Sequence, residues 1–402
     1  MFIPTRAAGL EALDEFVPHA GAEYRRDRNH DLGPARTNVS GLSPYIRHRL
    51  ITEHEVVDAV LARHSLSAAD KFVQEVFWRT YWKGWLEQRP EVWRRYRAEV
   101  RDLLAADPPG GYADAVAGRS GIDAMDAWVR ELVDTGYLHN HVRMWFASIW
   151  VFTLGLPWQL GADFFLRHLL DGDAASNTLS WRWVAGLQTR GKTYLATAAN
   201  IAQYTDGRFA PSGLATTARA LDEEPFPRPT AIRPDDVDGT VGDRVGLLLH
   251  EEDLDAASLL AEQPGLVSSL TATAVSVDPD GRSPAPASSL VTAFTTGAAA
   301  DAAEHTLDAQ GRPAEVLGGA DLTVLVRWAT AAGLDTVVVP YAPVGPVSER
   351  LDAARPALHA EGIALVTVRR RWDSRAWPHA SRGFFPFRGQ IPELVQASTR
   401  SS

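Results

Sequence analysis

The residues with the clearest chemical potential lie between 139 and 183, where charged side chains stand among dense aromatic and aliphatic residues. Arg143, Asp171 and Asp173 occur there, followed by Asn177. Burying an ion is costly unless it is paired or hydrogen-bonded, so these residues predict a pocket for a large, flat and polar ligand. The alternative is a structural ion network, with Asn177 starting a helix and three tryptophans in the core: Trp158, Trp181 and Trp183.

A second group lies on one face of a predicted helix over 67–86. Its members share helical spacing: Glu75, Trp78, Trp82 and Trp85. A carboxylate beside indole rings can hydrogen-bond to a flat heterocycle and stack on it. The alternative is a tryptophan-rich packing face in which Glu75 pairs with Arg79 or Lys71.

The segment 39–50, VSGLSPYIRHRL, places small hydroxyl residues and a glycine just before a predicted helix. Hydroxyl and backbone N–H groups there could hold phosphate oxygens, because helix N-termini favour anions. An ordinary helix start is the alternative, with Ser43 as the cap and Pro44 at the first helical position.

The composition is that of a globular protein with a sizeable core. The chain has 402 residues, 45% hydrophobic and 22% charged, which suggests two domains. No apolar run approaches the roughly 20 residues of a membrane span, and acidic residues come too early for a secretory signal. The absence of cysteine excludes disulfides, thiolate nucleophiles, cysteine zinc sites and cysteine-held iron–sulfur clusters. We expect a cytoplasmic monomer without a metal site.

Charge divides the chain into two unlike parts. Residues 1–210 carry 24 Lys+Arg against 25 Asp+Glu, whereas the remainder carries 16 against 25. Ten of the 13 tryptophans also lie in residues 1–210. The net charge of −10 therefore disfavours non-specific polyanion binding by the whole chain, but it leaves a nucleic-acid partner open for the first part.

The pattern of apolar residues predicts different folds for the two parts. Residues 1–210 show three- and four-residue spacing, typical of an all-helical domain. Residues 211–243 are rich in Pro, Gly and Asp and predict a linker. Residues 244–395 alternate helices with four short aliphatic runs: RVGLLLH, LTATAVSV, TVVVPY and ALVTVRR. This alternation predicts a smaller, doubly wound parallel α/β domain, and no Gly-x-Gly-x-x-Gly turn follows its strands.

Taken together, four segments resemble the photolyase/cryptochrome flavoproteins in order and in detail. They are VSGLSPYI, the Glu-x-x-Trp-Arg run at Glu75, TGYLHNHVRM and DGDAASNTLSWRW. The resemblance covers about residues 20–210 and implies a helical FAD-binding domain. The joint occurrence of the segments is specific, although each segment alone is not.

The resemblance implies a role for each matching residue. Ser40, Leu42 and Ser43 would lie at the FAD phosphates, and Tyr24 and Arg79 would also contact the cofactor. An ion pair between Arg143 and Asp173 would lie against the isoalloxazine ring, with Asp171 at its polar edge. Asn177 would face flavin N5, where an amide can donate to the nitrogen or accept from its N–H.

Other matching residues concern the substrate and the electrons. In photolyases that repair cyclobutane dimers, the dimer is flipped into the cavity above the flavin. By resemblance, Glu75 would hydrogen-bond the dimer, Trp78 would pack on the thymine rings, and Asn140 would face the substrate. Asn140, where the (6-4) branch has His, favours the cyclobutane branch. Trp158 and Trp181 match the inner members of the photoreduction chain.

The chain departs from the family at several positions. Val39 and Gly41 replace a Thr and an Arg in the phosphate segment. No Trp lies within 100–116, where the outermost member of the photoreduction chain is expected, so Trp128, Trp145, Trp150 or a Tyr would have to substitute. The missing cysteines exclude the iron–sulfur branch.

The domain order also departs from the family, in which the α/β domain comes first. RVGLLLHEEDL resembles the family's opening strand, and SRGFFPF at 381–387 resembles its closing segment. A circular permutation is therefore one hypothesis, and an unrelated doubly wound sheet is the other. A second, antenna chromophore would bind at the carboxyl ends of the strands, but no residue specifies which.

Three functions follow from these observations. The first is light-driven repair of pyrimidine-dimer DNA with FAD as the cofactor. The second is a cryptochrome-like photosensor or flavin redox protein without repair activity. The third is a flavin-free interaction module, which purified protein lacking FAD would support.

Overall fold

A computed structural model describes residues 2–234, 242–267, 269–308, 310–319 and 321–399. The first half is helical, as predicted. Its helices are α1 Arg6–Phe16, α2 Ala22–Asp27, α3 Ser43–Arg47, α4 Glu53–Arg63, α5 Leu66–Glu87, α6 Pro90–Ala105, α7 Tyr112–Val116, α8 Asp123–Thr135, α9 Asn140–Ser148, α10 Trp158–His168, α11 Ala174–Val184 and α12 Ala198–Tyr204.

Local capping residues divide these helices more finely than the apolar spacing indicates. The helix predicted to follow the small hydroxyl residues of VSGLSPYI is two helices, α3 and α4, because Arg49 adopts a positive φ of 49° and Thr52 starts α4 with a capping box. Ser65 caps the long helix α5 by accepting from the N–H of Ala68. Gly136, in the left-handed conformation, ends α8 and turns the chain toward α9.

The second half is a five-stranded sheet with helices between the strands. Its strands are β1 Val245–His250, β2 Leu270–Val277, β3 Glu315–Gly318, β4 Thr336–Pro340 and β5 Ala364–Val368. Its helices are α13 Ala256–Glu262, α14 Pro264–Val267, α15 Ser289–His305, α16 Leu322–Ala331, α17 Pro346–Ala360, α18 Arg371–Ala376, α19 Phe384–Arg388 and α20 Ile391–Thr399. The strand order is β3-β2-β1-β4-β5, and every neighbouring pair is parallel. The predicted fold class is confirmed.

The sequence pattern missed two parts of this half. Strand β3 is only four residues long and mostly exposed, so it lacks the apolar run that marks the other strands. Helices α18, α19 and α20 are short, and α19 and α20 contain prolines, which obscure helical spacing.

The predicted linker over 211–243 is described only in part, since residues 235–241 lie outside the described residues. Residues 211–234 contain no helix or strand. They follow the surface of both halves: Thr230 donates its backbone N–H to the carbonyl of Gln88, and the Arg233 guanidinium lies 5.2 Å from the ring of Tyr341.

The two halves meet through buried ion pairs at the carboxyl end of β1. Arg47 contacts Glu252 at 2.8 Å, and Arg49 contacts Asp253 at 3.1 Å. Lys83, from α5, also contacts Glu252 at 3.2 Å. The central strand of the sheet is thereby fixed against the helix that carries Glu75 and Trp78.

Candidate functional site

Two ion pairs join α5, α9 and the turn before α11. Arg143 Nη2 lies 2.9 Å from Asp171 Oδ2, and Arg79 pairs with Asp173. The expected pair of Arg143 with Asp173 is therefore wrong. Asp173 is instead the N-cap of α11, accepting from the N–H of Ser176 at 2.7 Å, and this directs its other oxygen toward Arg79.

Asp171 is buried and charged, with one oxygen available to a ligand. Burial raises the pKa of the Asp171 carboxyl, but the charges of Arg143 and Arg79 outweigh burial and hold that pKa below its usual value. Among the described residues, its Oδ1 atom has no hydrogen-bond partner. A buried, unpartnered acceptor is costly, so this atom fits a ligand that presents an N–H group, as the polar edge of a flavin ring does.

Asn177 lies on the first turns of α11 and is buried. Its Nδ2 atom donates to the carbonyl of Ala162 at 2.7 Å. An amide has two N–H donors and one oxygen acceptor, so one N–H and the oxygen are left for a ligand. Asn177 can still take the role expected from the resemblance, with its orientation set by α10.

The expected phosphate segment forms a tight turn into α3. Gly41 has a φ of +65°, and its neighbour Leu42 is buried as the N-cap of α3. Ser40 Oγ accepts from the N–H of Leu42 at 3.4 Å. Ser43 is the first helical residue rather than the cap, and its side chain approaches Asp171, where it helps to lower the pKa of that carboxyl.

Tyr24 lies in the core rather than at an open surface. Its ring packs edge-on against Phe16 and Phe72, with centroid distances of 5.9 and 5.2 Å. The Arg28 guanidinium lies 5.8 Å from the same ring. Burial raises the pKa of the Tyr24 hydroxyl, which therefore stays protonated.

Glu75, on α5, forms an ion pair with Arg28, which directly follows α2. The alternative interpretation, in which Glu75 pairs with Arg79 or Lys71, does not hold, because Arg79 pairs with Asp173 and Lys71 approaches Asp70 at 3.9 Å. Both side chains of the Glu75 pair are about a quarter exposed, so a ligand can reach them.

Trp78 is half-buried and stacks on a ring from the second half of the chain. The centroids of Trp78 and Phe384 lie 3.5 Å apart, with an angle of 11° between the rings. Trp82 lies on the same helix, 5.3 Å from Trp78. One face of Trp78 is therefore covered by the protein itself, which leaves only the rest of the ring to a ligand.

Asn140 is exposed at the first position of α9. Its neighbour His139 is buried, caps the helix, and has its Nε2 atom 3.0 Å from the carbonyl of Arg28. Burial lowers the pKa of His139 to about 4, so His139 is neutral at pH 7. His139 therefore has a structural role, and Asn140 is the side chain that faces outward.

The two tryptophans expected in the photoreduction chain, Trp158 and Trp181, pack against different aromatic rings. Trp181 packs edge-on against Trp150 at 6.2 Å, whereas Trp158 stacks on Tyr96 at 5.5 Å. Tyr96 in turn lies 5.4 Å from Trp93. Two of the substitutes considered for the missing outer tryptophan, Trp128 and Trp145, stack on each other at 5.7 Å instead.

Sequence reasoning missed three contributors to this site. Arg28 has only its four-residue spacing from Tyr24 as a signal. Tyr96 and Phe384 are brought in by tertiary contacts, with α10 and α5 respectively. No spacing in the sequence predicts those contacts.

The arrangement is a helical domain with two buried ion pairs and an unpartnered carboxylate oxygen, which fits a flat polar cofactor. Residues 72–211 match the family described as the FAD binding domain of DNA photolyase. This part of the chain is therefore similar to the FAD-binding domain of DNA photolyases, in agreement with the resemblance predicted from its motifs.

Individual relatives are similar over the same share of the chain. The deoxyribodipyrimidine photo-lyases of Synechococcus sp. and Streptomyces griseus are 31% and 33% identical to this chain. Each match covers 45% of this chain and 39% of the photo-lyase. A crystal structure of a bacterial class III photolyase from Agrobacterium tumefaciens has a TM-score of 0.43 and 28% identity, covering 50% of this chain and 42% of its own. The chain thus spans less than half the length of the relatives it matches.

No helix among the described residues is long and apolar enough to cross a membrane.

At the carboxyl ends of β1 and β2, where an antenna chromophore was expected, the cavity beside His250, Ser276 and Arg350 measures about 10 Å³. That is room for about one water molecule.

Proposed function

We propose that this chain binds FAD and uses light to split cyclobutane pyrimidine dimers in DNA. The observation that carries the proposal is that helix α5 serves both tasks. Arg79 on this helix pairs with Asp173 in the cofactor site, while Glu75, one turn earlier, and the adjacent Trp78 are partly exposed. A single rigid element therefore fixes the distance between cofactor and substrate.

The residues present fit FAD. Asp171 Oδ1 is the unpartnered acceptor for a ring N–H, and Arg143 balances its charge. Asn177 offers an amide edge, and the turn at Ser40 and Ser43 offers hydroxyl groups for the phosphates. When bound and reduced, FAD would supply one electron to the dimer under light, and that electron would return to the flavin after the cyclobutane ring has split.

The protein's own residues would hold the dimer and its extra charge. Glu75 hydrogen-bonds the dimer, and the paired Arg28 guanidinium gives a positive potential where negative charge develops. Trp78 offers the part of its ring that Phe384 leaves uncovered for contact with the thymine rings. Asn140 is exposed next to His139, which contacts the carbonyl of Arg28, and Asn140 can hydrogen-bond a flipped base.

Glu75→Ala should slow dimer splitting roughly tenfold to a hundredfold, since a hydrogen bond to a charged group contributes about 1.5–3 kcal/mol. FAD should be retained, because Glu75 pairs with Arg28 and not with the ring-holding aspartates. The measurement is the absorbance recovery of a dimer-containing oligothymidine under blue light with fully reduced protein.

Glu91→Ala is the matched control, since the Glu91 side chain is 41% exposed and pairs with Arg94 and Arg95 on the surface of its own helix. It should repair at the wild-type rate. Failure of reduced, flavin-loaded wild-type protein to repair the oligonucleotide would rule out the enzyme.

A cryptochrome-like photosensor or redox protein is the second candidate. The stacking of Phe384 on Trp78 favours it, because this contact covers part of the expected substrate surface. Photoreduction without repair would support it.

Photoreduction should depend on Trp93. Rings at Trp158, Tyr96 and Trp93 lie 5.5 and 5.4 Å apart in succession, whereas Trp128 and Trp145 contact each other. We expect Trp93→Phe to slow flavin photoreduction by an external thiol severalfold, and Trp128→Phe to leave the rate unchanged. Equal rates in both variants would exclude this path.

The permuted domain order is also a proposal. The parallel sheet docks on α5 through the carboxyl end of β1, by the Lys83–Glu252 pair. A rearranged gene encoding residues 244–395 before residues 1–210 should give a protein that folds and binds FAD. A rearranged protein that stays unfolded would argue against the permutation.

A further inference from the structure

The acidic second half contains one strongly basic segment. Residues 211–402 carry 16 Lys+Arg against 25 Asp+Glu, yet residues 369–390 hold six Arg and a single Asp. The same segment contains five aromatic residues: Trp372, Trp377, Phe384, Phe385 and Phe387. Basic and aromatic residues are concentrated here against the charge of their surroundings.

This segment is fixed on α5 close to Trp78. Phe384 is buried in its stack with Trp78, and Tyr81 donates its hydroxyl to the carbonyl of Arg382 at 2.8 Å. Gly84 packs so tightly that an added Cβ would lie 2.8 Å from the backbone of Trp377. The segment is therefore continuous with the surface proposed to receive the dimer.

The next residue along the chain, Phe385, has the opposite environment. It is 78% exposed, the highest value among the large hydrophobic side chains described as exposed. The Arg388 guanidinium lies 5.6 Å from its ring, and Arg382 is also exposed. A single exposed hydrophobic residue is common on protein surfaces, but Phe385 is an aromatic ring with one exposed arginine beside it and another three residues earlier in the chain.

An exposed aromatic ring beside cations suits single-stranded nucleic acid. A base stacks on the ring whatever its sequence, and arginine binds phosphate in two-point contacts. Resting on the proposed function, we propose that Phe385, Arg382 and Arg388 bind the DNA strand beside the dimer. Phe385 stacks on a flanking base, while the two arginines hold phosphates. The α/β half then contributes to substrate binding, not only the helical half.

Binding in the dark tests this proposal with the full chain. The probes are fluorescent oligothymidines, one with a cyclobutane dimer and one without, titrated at several salt concentrations. Phe385→Ala should weaken binding of both probes about tenfold, the effect of losing one stacked base. Arg388→Gln should weaken both and lower the salt slope by about 0.7, the value for one phosphate of a single strand.

Three variants sharpen the result. Phe385→Trp should keep full binding and Phe385→Leu should lose it, because stacking needs an aromatic ring and not merely an apolar one. Arg327→Gln is the matched control, since Arg327 is exposed on α16. Far-ultraviolet circular dichroism and bound FAD check that each variant is folded.

The outcomes separate this proposal from the repair function. Wild-type affinity in both Phe385→Ala and Arg388→Gln overturns the contact surface while repair stands. Weakened binding in a protein that does not repair upholds the surface and removes the enzyme. A wild-type protein that binds neither probe overturns both, and full binding by Phe385→Leu overturns the stacking.

Discussion

Arg143→Ala should strip the protein of FAD. Arg143 is the partner of Asp171, and removing one member of a buried ion pair leaves the other charge uncompensated. That costs about 3–5 kcal/mol, so we expect flavin binding to weaken roughly a hundredfold or more. The measurement is the flavin absorbance per mole of purified protein, followed by titration of the apoprotein with FAD.

Arg167→Ala is the matched control for this variant. Arg167 pairs with the buried Asp163 at 2.8 Å, so this change also breaks a buried pair, but outside the cofactor site. It should lower stability and keep FAD. Equal flavin content in Arg143→Ala and wild-type protein would show that the pair does not hold the ring.

Arg49→Leu should give the largest loss of stability. Its guanidinium lies between three buried carboxylates, at 3.2 Å from Glu53, 3.1 Å from Asp253 and 2.6 Å from Asp373. Arg370 still pairs with Asp253 in the variant, but Asp373 loses the partner described for it. We expect a loss of about 3–5 kcal/mol in the free energy of unfolding, measured by urea denaturation.

Arg312→Leu provides the comparison. Arg312 pairs with Asp308 at 2.7 Å, but its side chain is 67% exposed. Exposed pairs contribute about 0–1 kcal/mol, so this variant should unfold close to wild-type protein. Equal losses in the two variants would contradict the importance of the buried cluster.

The sequence predicts the composition of the cofactor site better than its pairing. The charged residues of the site lie close together because their motifs occupy neighbouring helices: α5, α9 and α11. The predicted partner of Arg143 was wrong because two candidate carboxylates, Asp171 and Asp173, are only two residues apart. Which carboxylate faces the arginine depends on the turn before α11, where Asp173 is used as a cap. Sequence spacing does not contain that information.

Contacts between distant segments were beyond sequence reasoning for a different reason. Phe384 follows Trp78 by about 300 positions, and its stacking depends on how the whole second half docks. The strands of that half were predictable from their aliphatic runs, apart from β3. A run of apolar residues predicts the secondary structure of a segment, but not its tertiary contacts.

The ion pairs between the halves also bear on the order of synthesis. Arg49 leaves the ribosome 204 residues before Asp253, one of its partners. At about 5–20 residues per second, that delay lasts roughly 10–40 seconds. During this interval Arg47, Arg49 and Lys83 lack their partners Glu252 and Asp253, and Glu53 is the one carboxylate of the Arg49 cluster already made. The helical half is therefore made before the carboxylates that neutralise these three side chains from the second half.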